Sequence, residues 1–323
     1  MFPAKLSQLL LIGSFAILTP AIGFGQIYEE MGPSTYYAAP VCDPCTSMCD
    51  DCHSPSCGTW FDGLELFAGL DGSKQPQDFG VNAHFGGRLH ANWGIPVFHD
   101  SGIGIQIGTA LSQTDHAVAV TNTLEGSSGR TQSFITAGVF QRSCSGWNWG
   151  VVYDYLYEDD YDLLSLSQIR GTLSYELNEC NEIGFVGMAP LSGADADWGG
   201  NAVYLRPLAQ GRFFWRHWWQ TGAHTTAWMG MADSHGQANV ALGDSDETGE
   251  VIVFGADFQT PLNDYVALYG EANFVTPADT GTVDAFLGIA FYPGGGAWRW
   301  QRRQSTALLP VAGSPSFSTD LRR

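Results

Sequence analysis

The chain has 323 residues, 40 of them glycine, and its 14 Lys and Arg stand against 33 Asp and Glu for a net charge of −19. That balance excludes a nucleic-acid binder, which needs a basic face for phosphates, and a 44% apolar content excludes a globally disordered chain. Abundant glycine, with 11 Trp, 12 Tyr and 19 Phe, points to many strands rather than helices.

Lys5 precedes an apolar stretch from Leu9 to Leu18, and Gly23-Phe24-Gly25 follows at cleavage spacing. Residues 1–25 therefore read as a cleaved signal peptide, too short for a membrane helix. Residues 26–59 form a Cys-rich, flexible periplasmic segment with Cys42, Cys45, Cys49, Cys52 and Cys57 and with His53 alongside. The paired C-x2-C steps resemble metal-ligand spacing, yet only three residues separate the pairs, too few for a finger. In an exported protein, disulfides are the plainer reading; metal binding and a mixed disulfide with an envelope partner are the alternatives.

From residue 60 to 293 the chain alternates. Phe79, Val81, Ala83, Phe85, Gly87, Leu89, Ala91 and Trp93 fall on one face, and Asn82, His84, Arg88, His90 and Asn92 on the other. A period of two over so long a stretch means a strand with one apolar and one polar side. Its length suits a tilted membrane-crossing strand better than an ordinary globular one. The same reading gives strands near 60–70, 79–93, 101–113, 130–142, 147–157, 164–177, 181–191, 200–214, 218–231, 250–261, 264–275 and 281–293. Two are less clean: 130–142 carries phenylalanines on its polar face, and Pro207 interrupts 200–214.

Links near 94–100, 143–146, 178–180, 215–217 and 262–263 are short. They take turns with longer ones near 71–78, 114–129, 158–163, 192–199, 232–249 and 276–280. This arrangement predicts an all-β fold, an up-and-down antiparallel transmembrane β-barrel of about twelve strands with its long loops at one end. The Cys-rich extension and a C-terminal tail, 294–323, are expected at the periplasmic end. Acids crowd the long links and their immediate edges, among them Asp71, Asp115, Glu158, Asp159, Asp160, Asp162, Asp195, Asp197, Asp233, Asp244, Asp246, Glu247 and Glu250. Trp60, Trp93, Trp147, Trp149, Trp215, Trp218 and Trp219 fall at the other end, as a periplasmic aromatic girdle would. The bland alternative is a set of core tryptophans in a soluble β-protein.

With its leader, Cys-rich lead, twelve amphipathic strands and the strand-end run Gly288-Ile289-Ala290-Phe291-Tyr292-Pro293, the chain resembles the uncharacterised outer-membrane β-barrels of planctomycetes over roughly residues 40–296. The resemblance implies a cell outer-membrane location, contact with outer-membrane lipid and insertion by the barrel-assembly machinery. Members of outer-membrane families usually end on an aromatic that this machinery reads. Here Phe291 and Tyr292 fit that role, but about thirty residues follow them.

Catalysis finds little support. No G-x-S-x-G elbow occurs, and the histidines nearest a serine, His53, His99, His116 and His235, fall in the leader or in links. An outer-membrane hydrolase is the weakest reading, and no cofactor or metal is expected. The inward faces give the functional lead. His84, Arg88, His90, Arg170, Glu176, Arg206, Arg212, Asp257 and Glu271 should point into the lumen, as should Gln106, Asp154 and Gln168. Such a lining suits either a narrow pore or a plugged scaffold, because twelve strands lie between a filled barrel and an open channel. A porin-like or structural role follows, with a surface-binding or adhesive barrel acting through acidic extracellular loops as the alternative. Cys144 and Cys180, in two short links at the same end, are expected to form a disulfide, with pairing to a leader cysteine as the rival.

Overall fold

The computed structural model describes residues 61–75, 83–98, 101–116, 129–143, 145–160, 162–198, 201–233, 250–276, 282–298 and 306–322. The leader, the Cys-rich segment and Trp60 lie outside them, as do Cys144 and the 234–249 link. No helix among the described residues is long and apolar enough to cross a membrane.

Fifteen strands are described: β1 (Leu64–Lys74), β2 (His84–Phe98), β3 (Ile103–His116), β4 (Gly129–Arg142), β5 (Trp147–Asp159), β6 (Leu163–Asn178), β7 (Asn181–Ser192), β8 (Ala194–Trp198), β9 (Asn201–Pro207), β10 (Ala209–Trp218), β11 (His224–Asp233), β12 (Glu250–Pro261), β13 (Val266–Val275), β14 (Val283–Phe291) and β15 (Thr319–Arg322). Twelve of them close a barrel. The wall runs β1 to β7, passes directly to β10, continues to β14, and closes by pairing β14 with β1. Every neighbouring pair is antiparallel, with Leu70 opposite Leu287 at the closing seam and Gly187 opposite Gly211 where β7 meets β10. Closure satisfies the main-chain groups of every wall strand and leaves no edge.

Alternation sorts the side chains as expected. Phe85, Leu89, Ile107, Leu173, Phe213 and Met229 point outward and are about half exposed or more, whereas Arg88, Gln106, Thr136, Asp154, Gln168 and Arg170 point inward and are buried. The outward surface is thus apolar and the interior polar, the reverse of a soluble β-protein. Trp147, Trp215 and Trp219 are exposed at the short-turn end. Trp218 departs from the girdle: it shares the inward face with Arg212 and Arg216, and the Arg216 guanidinium lies 5.8 Å from its ring. Gly102 and Gly146, with φ of +66° and +84°, make tight short turns that an L side chain would strain.

Strands and links differ from expectation in several places. The strand expected over 200–214 is two strands: β9 ends at Pro207, and β10 starts two residues later in the wall. The chain joins the wall only after Pro207, which cannot donate to a ladder. The turn expected at 215–217 lies inside β10, and the hairpin is made by 219–223 instead. The link near 158–163 shrinks to 160–162, so short and long connections do not strictly alternate in length. Glu158 and Asp71, read as loop acids, are buried inner-face residues that accept hydrogen bonds from Gln132 and Ser112.

The largest correction concerns the tail. Residues 306–322 do not stay at the short-turn end; they run up inside the barrel. There β15 pairs with β9, and β9 with β8, as a separate three-stranded sheet.

Candidate functional site

The site is the lumen, and its occupant is the chain's own tail. At the short-turn end, Arg142 donates to the carbonyls of Thr306 and Ala307 at 2.9 and 3.0 Å. Next, Asn92 and Gln106 donate to Leu309 O, and Leu309 N–H donates back to Gln106. Arg170 donates to Pro310 O at 2.7 Å, and Arg88 to Ala312 O at 3.2 Å. Arg212 and Gln168 take the carbonyls of Pro315 and Ser316. Near the long-loop end, Thr319 donates to Gln75, and Asp320 pairs with Arg206 at 3.3 Å.

Asp154 is the centre of this arrangement. It is fully buried and pairs with Arg170 at 3.0 Å. It also accepts hydrogen bonds from Thr136 at 2.8 Å and Gln168 at 3.1 Å. Thr136 in turn accepts the Ala312 N–H at 2.9 Å. One carboxylate therefore orients the three side chains that hold Pro310, Ala312 and Ser316. A buried carboxylate with three donors and a charge partner is satisfied, which its burial requires.

Shape matches chemistry. A Cβ on Gly108 would lie 2.6 Å from Val311 Cγ2, and one on Gly150 would lie 3.3 Å from both Leu308 and Leu309. On the tail itself, a Cβ on Gly313 would lie 1.8 Å from Arg88 Nη1. Further up, Phe134, Leu156, Leu164 and Leu166 of the wall form one buried cluster with Leu205 of β9 and with Val311, Ala312 and Phe317 of the tail. Phe134 and Phe317 meet edge-on at 6.0 Å. Phe134, one of the phenylalanines that spoil the polar face of β4, is thus part of the wall's side of an apolar plug.

A family model described as "Family of unknown function (DUF6666)" matches residues 63–319. The chain belongs to that family. No curated protein matches it. Among solved structures, this DUF6666 barrel is similar to the Salmonella typhi outer membrane phospholipase (OMPLA) dimer with bound calcium, at 8% identity over 70% of this chain and 90% of that one, TM-score 0.40. It is also similar to the Ralstonia pickettii toluene transporter TbuX, at 10% identity over 71% and 89%, TM-score 0.42. The KdgM porin in complex with disordered oligogalacturonate gives 6% identity over 70% and 98%, TM-score 0.41. Likeness at this level assigns neither a ligand nor a reaction.

The tail leaves part of the DUF6666 lumen unfilled. Two cavities of about 90 Å³ each lie beside Leu308–Pro310 and share Arg216 and Asp257. One reaches Asp62, Gly295 and Thr306 at the short-turn end; the other reaches Arg212, Glu271 and Ser316. Above them Leu208, Ala232, Val251, Val253 and Val275 pack into a buried apolar cluster. Within the cavities Arg216 pairs with Glu182 at 3.1 Å, and His224 lies 3.7 Å from Asp257.

Of the residues expected to face the lumen, His84, Arg88, His90, Arg170 and Arg212 are buried inside, and Asp257 and Glu271 line the cavities. His90 stacks on Phe67 at 4.6 Å and meets Glu65 at 3.1 Å. Glu176 is half-buried on the inner face of β6 at the short-turn end and accepts from Asn148. Arg206 is the exception. It belongs to β9, outside the wall, because Pro207 ends that strand before the wall resumes. Cys180 is disulfide-bonded. Its expected partner Cys144, like Cys42, Cys45, Cys49, Cys52 and Cys57, lies outside the described residues, as do His53, His99 and His235. The alternation put Asn92 on a polar face but did not single out Thr136, Gly108 or the tail as partners of the lumen.

Proposed function

We propose that this chain is an outer-membrane β-barrel of porin-like architecture that serves a structural role, its lumen held closed by its own tail. The membrane placement rests on the outward apolar surface and the polar interior. Closure rests on one observation: the inward Arg, Asn and Gln side chains spend their donors on the tail's carbonyls. The long-loop end, with Asp115, Asp159, Asp233 and Glu250 exposed, is the extracellular one. The short-turn end, with the Cys-rich lead, faces the periplasm and any envelope partner. Lipid and the assembly machinery are the obligatory partners in this reading, which includes no reaction chemistry.

Planar-bilayer recording tests it. The intact protein is expected to be silent, and a chain ended after Ser305 to show steady conductance steps. Steady open-channel steps from the intact protein would refute the closed-lumen reading.

A further inference from the structure

The tail is held in the way a ligand is held. The hydrogen bonds that Arg88, Arg142, Arg170, Arg212, Asn92 and Gln168 give to residues 306–316 go to main-chain carbonyls, while Ser314 is read through its hydroxyl, which donates to Gln132. The wall does not need the tail for closure, because its ladder is complete from β1 to β14. At its far end the tail adds a short strand to β9, with Asp320 opposite Arg206 and Leu321 opposite Leu205. Carbonyl donors followed by strand addition are how extended peptides are recognised by folded proteins.

From these contacts we infer that the lumen is a binding site for an extended, uncharged polypeptide segment, and that the tail is its resident, exchangeable occupant. The inference rests on the closed-lumen reading and adds the class of ligand. Charge sets the first requirement: residues 304–319 contain no Asp, Glu, Lys or Arg in a chain of net charge −19. A carboxylate in place of Val311 would sit in an apolar cluster with Phe134 and Leu156, both buried. Shape sets the second. The seat beside Gly108 takes an aliphatic side chain, a residue larger than glycine at 313 would have to displace the Arg88 guanidinium, and the apolar cluster at the top takes an aromatic ring. Direction is the third. The segment's N-terminal end lies by Arg142 at the short-turn end, and its C-terminal end lies along β9. A segment of a periplasmic polypeptide with this pattern, delivered from the short-turn end, meets the same donors as the tail.

The full chain with a protease site inserted between Arg303 and Gln304 folds with its tail in place and is then cut. A fluorescein-labelled synthetic peptide of residues 306–322 is added, and anisotropy is read. Saturable binding is expected to the cut barrel, and at least about tenfold less to the uncut one, where the tethered tail competes at high effective concentration. Peptides carrying Gly313→Val or Val311→Asp should bind at least roughly tenfold more weakly, since each overpacks or strands a charge in a closed seat. No saturable binding, failure of the cut tail to exchange, or equal binding of the substituted peptides each overturns the inference. Conductance of the same sample separates the two readings. A cut and washed barrel that conducts but neither binds peptide nor is closed by it sinks only the inference. A washed barrel that stays silent sinks the closed-lumen reading, and anisotropy still decides the inference.

Discussion

Asp154 shows how much of the lumen depends on single side chains. It and Arg170 are almost completely buried, and between them they fix Pro310 and, through Thr136, Ala312. Removing one member of a buried ion pair leaves the other charge uncompensated, at about 3–5 kcal/mol. Asp154→Ala should therefore lower stability by about that amount, read as a fall in the urea midpoint of the protein in detergent. The double replacement Asp154→Leu with Arg170→Met should recover most of the loss; equal losses in single and double variants would contradict the pair's role. Gly108→Val tests shape alone. A valine suits a strand, but its side chain would occupy the seat of Val311, so the wall should fold while the tail is displaced and conductance appears. At this scale the sequence is informative about direction and uninformative about partners. Alternation put Gln106, Asp154 and Gln168 inside. It could not say that Gln106 and Gln168 meet main-chain carbonyls far along the chain, because a carbonyl carries no sequence signal.

Among the elements, the twelve wall strands were legible because each keeps a period of two. The elements that escaped are those without that freedom. β9 ends at Pro207 outside the wall and β10 begins within it, so one apparent strand is two. β15 spans only Thr319–Arg322 and exists because β9 offers it an edge. There was one signal: Phe134 on the inner face of β4 and Phe317 in the uncharged run Thr306–Phe317 ask for each other. Hydrogen exchange reads the result. The amides of Leu309 and Ala312 donate to Gln106 and Thr136 inside the barrel and should exchange as slowly as wall amides, and shortening the chain by residues 319–323 should speed them. A second test concerns the short turns. Gly146 O accepts the Glu176 N–H at 2.9 Å, so the link at 143–146 lies against the end of the strand that leads to Cys180. Turns on neighbouring hairpins sit roughly 10 Å apart and must lean together to bring Cα atoms within about 4.4–6.8 Å. Non-reducing peptide mapping should recover Cys180 linked to Cys144; recovery with a peptide from residues 42–57 would instead tie the Cys-rich segment to the short-turn end.

For the whole molecule, the distribution of charge sets orientation. Exposed acids gather at the end where β15 finishes, and exposed tryptophans at the end where the tail enters. An epitope appended after Arg323 should accordingly be reached by antibody on intact cells, whereas one inserted in the short turn 219–223 should be reached only after the outer membrane is opened. Labelling with the opposite pattern would invert the barrel.

The closing pair β1–β14 also constrains the order of assembly. The last wall strand ends at Phe291, and the tail that fills the ring comes after it in the chain. The ladder from β1 to β14 is complete without the tail, so zipping Leu66–Lys74 onto Val283–Phe291 needs nothing that lies beyond Phe291. In the polypeptide's own order the vessel precedes its content: a ring able to close before it is filled is one that can be emptied and filled again.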